Sequence, residues 1–116
     1  RRPGGQRQFS ETLAAQAREQ GALDDLLPWM ADHLRADLSV AALARRAVMS
    51  PRNFARHFVE AVGTTPARHV EGLRLEAARG QFETTTRSVN EVAGATGFAS
   101  AEALRANGEQ FLQLAR

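Results

Sequence analysis

A pattern written twice constrains this chain more than anything else in it. The stretch SVAALARRAVMS, Ser39 to Ser50, returns as SVNEVAGATGFAS, Ser88 to Ser100. Both copies carry Ser-Val, an aliphatic residue three places after that Val, an Ala next to it, and a hydrophobe just before a closing Ser. The repeat distance is 49 residues and grows to 50 after the second turn. Ser is a favoured helix N-cap, because its hydroxyl accepts a backbone N–H that the first turn leaves unpaired. Each copy therefore reads as a short helix, a break of three or four residues, and the capped start of another helix, which is the outline of a helix-turn-helix. In the first copy Ser39 caps a helix with Val40, Leu43, Ala44 and Ala47 inward. Ser50 caps the next, with Pro51 at the first helical position and Gly63 as the stop. In the second copy Ser88 and Glu91 form a capping box.

Between the copies, Thr65-Pro66 starts the long segment TPARHVEGLRLEAARGQFET, with Val70, Leu73, Ala77 and Phe82 expected inward and a bend at Gly80. No strand-like alternation occurs, so the expected fold is all-α: two helix-turn-helix subdomains joined by a long linker helix. The expected boundaries are 22–65 for the first subdomain, 66–85 for the linker helix and 86–116 for the second, which is atypical from about 106. Residues 1–21 open with Pro and two Gly and lack a sustained apolar period before Leu13, which reads as a linker with a short helical turn. From there Leu23, Leu26, Leu27, Met30 and Leu34 fall at helical spacing, with Asp24 or Asp25 expected as N-cap, Pro28 expected in the first turn, and Trp29 as an anchor.

Composition narrows function. The 116 residues include no cysteine, which removes disulfides, thiolate nucleophiles and cysteine-bound zinc, and fits a reducing compartment. No apolar run reaches the roughly 20 residues that span a bilayer. All 15 basic residues are arginine, and the excess positive charge is local. Residues 45–79 hold seven Arg against three acids, whereas the flanking segments are each slightly acidic. Such a patch suits a polyanion, although a solvated helix face gives the same pattern. There is no HExxH and no phosphate-binding Gly-rich loop, and His33, His57 and His69 lie far apart, so no enzyme, metal site or cofactor is expected. His57 and Glu60 share a face but make only half a metal site.

The second helix of the first copy, within MSPRNFARHF, carries the chemistry. Stepping about 100° per residue from Arg52, Arg56 falls near 40°, Asn53 near 100° and His57 near 140°, while Phe54 and Phe58 fall beyond about 180°. Phenylalanines inward and arginines outward make a rigid helix with Arg52, Asn53 and Arg56 projecting from its first turns. Arg forks onto guanine O6 and N7, and Asn onto adenine N6 and N7. Ser39 and Ser50 can offer hydroxyl or backbone N–H groups to phosphates.

In this order the features resemble the C-terminal DNA-binding domain of AraC-type transcriptional regulators, through LSVAALARRAVMSPRNFARHF, GTTPARHVEGLRLEAAR and SVNEVAGATGFASAEALR. The resemblance implies a sequence-specific DNA-binding domain of a bacterial, cytoplasmic regulator. Its base contacts would be Arg52, Asn53 and Arg56 from the first reading helix, with Glu102 and Arg105 from the second. Its backbone contacts would be Ser39, Arg45, Arg46, Ser50, Ser88 and Ser100. A linker helix of roughly 28 Å is comparable to the ~34 Å between successive major grooves on one side of a duplex. The partner implied is double-stranded DNA, with RNA polymerase as a second. RRPGGQRQF is similar to the connector in a branch with an amidotransferase-like sensing domain, which implies a longer protein that dimerises through that domain. The C-terminus departs from the family: the repeat sets Ala106 opposite Arg56 and Gly108 opposite Phe58. The second reading helix is then expected to be short, frayed, or repacked on Phe111 and Leu112. The alternative reading is a helical protein-interaction or dimerisation module that has lost productive DNA binding.

Overall fold

The computed structural model describes residues 3–115, and the side chains of residues 11–109. Six helices follow in order: α1 (Pro3–Asp32), α2 (Val40–Ala47), α3 (Pro51–Val62), α4 (Pro66–Thr84), α5 (Val89–Ala95) and α6 (Ala101–Ala115). No strand occurs among the described residues. The two helix-turn-helix units are α2–α3 and α5–α6, and α4 joins them.

The start of the chain differs from the expectation. From Pro3 onward the stretch read as a linker belongs to α1, which continues unbroken to Asp32. From residue 11 to 21 nearly every side chain is exposed, and only Ala15 and Glu19 are half-buried. The missing apolar period thus marks a solvated helix. Ala, Gln, Glu and Arg sustain it by propensity. Asp24 and Asp25 accordingly do not cap anything; both are exposed within the helix, and Gln20 Nε2 donates to Asp24 Oδ1 at 2.9 Å. Pro28 lies inside α1 as well, not in a first turn. It removes one backbone donor at a cost of about 3 kcal/mol. Burial of Leu23, Leu26 and Met30 around it offsets that cost.

Two cores result. Leu23, Leu26 and Met30 of α1 meet Leu43, Ala44 and Ala47 of α2, Phe54 and Phe58 of α3, and Val70 of α4. The smaller core gathers Ala78 of α4 with Val92, Ala93, Phe98 and Leu104. α4 supplies one buried residue to each, Val70 and Ala78, about 12 Å apart along its axis. It runs as helix through both Gly72 and Gly80. Phe82, expected inward, is 45% exposed.

One joint ties the units together. Arg74 of α4 donates from Nε to the Leu34 carbonyl at 3.0 Å and from Nη2 to that of Ala36 at 3.3 Å. Gly97, in the α5–α6 turn, closes over the same spot: a Cβ there would stand 2.1 Å from Leu34 O and 2.6 Å from Arg74 Nε. Three segments distant in sequence meet because glycine leaves room for them.

Candidate nucleic-acid interface

Local capping builds the first unit. Ser39 Oγ accepts from Ala42 N at 3.2 Å, and Asp37 Oδ1 accepts from Ser39 N at 3.0 Å. That backbone hydrogen bond, and then one from the Ser39 side chain, hold the Asp37 carboxyl below its ordinary value against the opposing effect of burial, with the charge of Arg45 adding least. α2 ends on Val48 in the left-handed region (φ 59°, ψ 48°). The N–H groups of Val48 and Met49 return to the carbonyls of Arg45 and Ala44, which turns the chain sharply into α3. Ser50 Oγ accepts from Asn53 N at 3.2 Å, Pro51 opens the helix, and Gly63 closes it with φ 91°.

Phe54 and Phe58 are completely buried, with ring centroids 5.7 Å apart, and His69 meets the Phe58 ring at 5.4 Å. They fasten α3 by one face. The opposite face is the expected one: Arg52 is exposed and has no hydrogen-bond or ion-pair partner among the described residues, and the Arg56 side chain is 60% exposed. Asn53 behaves differently from its neighbours. It is half-buried, its Nδ2 donates to Glu19 Oε2 at 2.9 Å, and its Oδ1 accepts from Arg56 Nη2 at 2.6 Å. Its amide therefore faces α1 and Arg56. His57 Nε2 lies 2.8 Å from Glu19 Oε1, so its side chain is engaged there. No group of three His, Cys, Asp or Glu side chains able to hold a metal occurs among the described residues.

The internal pairings explain where the positive charge is left. Arg74 sits in the joint, and Arg79 pairs with Glu76 and Glu83 on α4. Arg45, Arg46, Arg52 and Arg56 remain exposed on the first unit, and Arg68 at the start of α4. Arg46 lies over the Trp29 ring, 3.6 Å from its centroid, a cation–π contact in which the residue stays exposed.

The second unit repeats the capping and dilutes the rest. Ser88 and Glu91 form the capping box, with Glu91 Oε1 accepting from Ser88 N at 2.8 Å, which lowers the Glu91 carboxyl below its usual range. Ser100 Oγ accepts from Ala103 N at 3.1 Å. All four capping serines use the oxygen as acceptor; the Ser39 and Ser88 hydroxyls also serve the Asp37 and Glu91 carboxylates, whereas those of Ser50 and Ser100 keep a proton to offer a phosphate. Glu102 and Arg105 are exposed and unpaired among the described residues. α6 is 15 residues long, so the second reading helix is not short. The side chains of Phe111 and Leu112 lie outside the described residues. Gly108 stands where the repeat has Phe58. It lines a groove of about 760 Å³ beside Leu75, Phe82, Val89 and Leu104.

Two residues of consequence escape a reading of motifs alone. Glu19 falls in the stretch read as a linker, yet its spacing to Leu23, Leu26 and Met30 continues the buried stripe of α1 back by one turn, and that periodicity is the available signal. Arg74 belongs to no motif in the sequence, and only tertiary structure brings Leu34 to it.

A pair of capped helix-turn-helix units on one rigid helix, with an arginine stripe on the outer face of α3, defines a double helix-turn-helix module. The family described as "Helix-turn-helix domain" matches residues 43–114. The HTH-type transcriptional regulator Rv1931c of Mycobacterium tuberculosis is 48% identical over 66 residues, covering 57% of this chain and 26% of that protein. The transcriptional activator RhaS of Escherichia fergusonii is 35% identical over 77 residues, 66% of this chain and 28% of its own length. The crystal structure of the DNA-binding domain of the global transcriptional factor AdpA with a target DNA superposes with a TM-score of 0.71 at 39% identity, covering 73% of this chain and 77% of that one. The chain belongs to the AraC-type helix-turn-helix family of transcriptional regulators, as a DNA-binding domain of that type. It spans about a quarter to a third of the curated relatives it matches.

Proposed function

We propose that α3 is the principal reader of this module, entering the major groove with Arg52 and Arg56 on base edges and Arg45, Arg46, Ser39 and Ser50 on the flanking phosphates. The observation that carries the reading is the split of α3 into a fully buried Phe54/Phe58 face and an outward arginine stripe. A base-reading side chain must be held from behind and open in front, and α3 meets both conditions. α6 contributes Glu102 and Arg105 to bases, with Ser88 and Ser100 on phosphates. With Ala106 and Gly108 in place of an arginine and a phenylalanine, it contributes less than α3. For the whole regulator we extend the reading to a cytoplasmic protein that dimerises through a part outside this chain and meets RNA polymerase at the promoter.

The test is a duplex selected by the chain from a randomised library, followed by salt-titrated binding. Arg52→Ala and Arg56→Ala are each expected to cost about 1–3 kcal/mol on the selected duplex and to relax preference at one base pair. Arg45→Ala should weaken binding to every duplex alike and reduce the salt slope by about 1. Unchanged affinity of the Arg52→Ala/Arg56→Ala double variant for the selected duplex would overturn the assignment and favour a protein-interaction role.

A further inference from the structure

The arginine stripe of α3 is connected to α1 through a short chain of polar contacts. Glu19 divides its carboxylate between two side chains of α3: Oε2 accepts from Asn53 Nδ2 at 2.9 Å, and Oε1 lies 2.8 Å from His57 Nε2. Asn53 Oδ1 in turn accepts from Arg56 Nη2 at 2.6 Å, and Arg56 Nη1 lies 3.8 Å from Glu60 Oε2. The chain has one polarity. A carboxylate only accepts and a guanidinium only donates, so the amide between them must turn its NH2 to Glu19 and its oxygen to Arg56. Rotating that amide would set donor against donor and acceptor against acceptor. The Glu19 and His57 side chains are 29% and 22% exposed, so water competes there far less than at Arg56.

We infer that Glu19 is a positioning residue for base readout: through Asn53 it fixes the direction in which Arg56 meets a base pair, so α1 takes part in specificity without touching DNA. The inference rests on Arg56 being a base reader. Asn53 is then a relay between α1 and Arg56, in place of the adenine contact its side chain alone suggests. A long arginine loses rotamer freedom when it forks onto a base, and holding it beforehand reduces that loss. Glu19 brings a negative charge towards the duplex, so its contribution lies in geometry.

The experiment replaces each base pair of the selected duplex in turn and measures binding by the parent chain and by Arg56→Ala, Asn53→Ala, Glu19→Ala and Glu19→Gln at one salt concentration. A mixed-sequence duplex serves as the non-specific reference, and thermal unfolding of each variant reports on the fold. Glu19→Ala and Asn53→Ala are expected to flatten preference at the base pair that Arg56→Ala flattens. Each should weaken the selected duplex roughly 3- to 10-fold, with the Glu19→Ala/Asn53→Ala double variant no worse than either single one. Glu19→Gln, which keeps an acceptor for Asn53, should retain the preference. Binding of Glu19→Ala to the mixed duplex should be equal or tighter. An affinity loss equal on all duplexes, or tighter binding to all of them with the preference profile intact, would overturn the positioning role while leaving Arg56 a reader. A profile untouched by Arg56→Ala would overturn both.

Discussion

Val48 and Gly97 occupy matching places in the two turns, and they show what one side chain costs. Both take positive φ, 59° for Val48 and 91° for Gly97. A β-branched residue in the left-handed region carries about 1–2 kcal/mol of strain. Val48 gains nothing visible in return, since it is 90% exposed. Val48→Gly is therefore expected to stabilise the chain by about 1 kcal/mol, the strain relieved less the added freedom of the unfolded chain. Urea midpoints would check it, with the DNA preference unchanged. Gly97 is the opposite case. Gly97→Ala would drive a methyl into the Leu34 carbonyl and Arg74 and should cost about 3 kcal/mol or more, read by the same midpoints. The repeat alignment made both turns legible, but nothing in the sequence marks Gly97 as irreplaceable and Val48 as merely tolerated, because the difference lies in what packs against each turn.

Helix boundaries were legible wherever a side chain caps the backbone. Ser39, Ser50, Thr65 and Ser88 each accept a backbone N–H at the place the sequence assigns to a helix start. The extent of α1 is not legible because residues 11–21 are mostly exposed and leave no apolar period, and because Pro28 signals a helix start far more often than an interior. Pro28→Ala should restore a donor inside α1 and stabilise it by about 1–3 kcal/mol, checked by unfolding and by helical circular dichroism. The caps also predict pH dependence. Asp37 and Glu91 both have folded values below their ordinary 3.8 and 4.5, each held chiefly by a backbone N–H. Their contribution is present above those ordinary values and disappears as pH falls through the lower folded ones. His69, lowered by burial, acts with the same sign below its ordinary 6.5, because protonation then opposes the folded state. Stability should thus fall from mildly acidic pH downward, and Glu91→Gln should flatten the lowest part of the curve.

At the scale of the whole molecule, function depends on how the two units are held apart. Arg74→Ala removes both hydrogen bonds to the Leu34 and Ala36 carbonyls. It is expected to weaken binding to a duplex presenting two successive grooves more than to one trimmed to a single groove, a comparison that competition assays resolve. Gly108→Phe with Ala106→Arg should give α6 what α3 has, filling the groove beside Leu75 and adding a cation outward, and should strengthen the two-groove duplex about tenfold. The existence of two units could be read from the repeat, whereas their relative placement could not, because Arg74 and Leu34 are 40 residues apart. The partition of the interior has a further consequence for how the chain comes apart. Among the described residues, the smaller core holds no buried side chain of α1, α2 or α3 and shares only α4 with the larger one. Amide protons of α5 and α6 should therefore exchange with solvent before those of α3, so the helix proposed as principal reader would keep its shape through fluctuations that dissolve its companion.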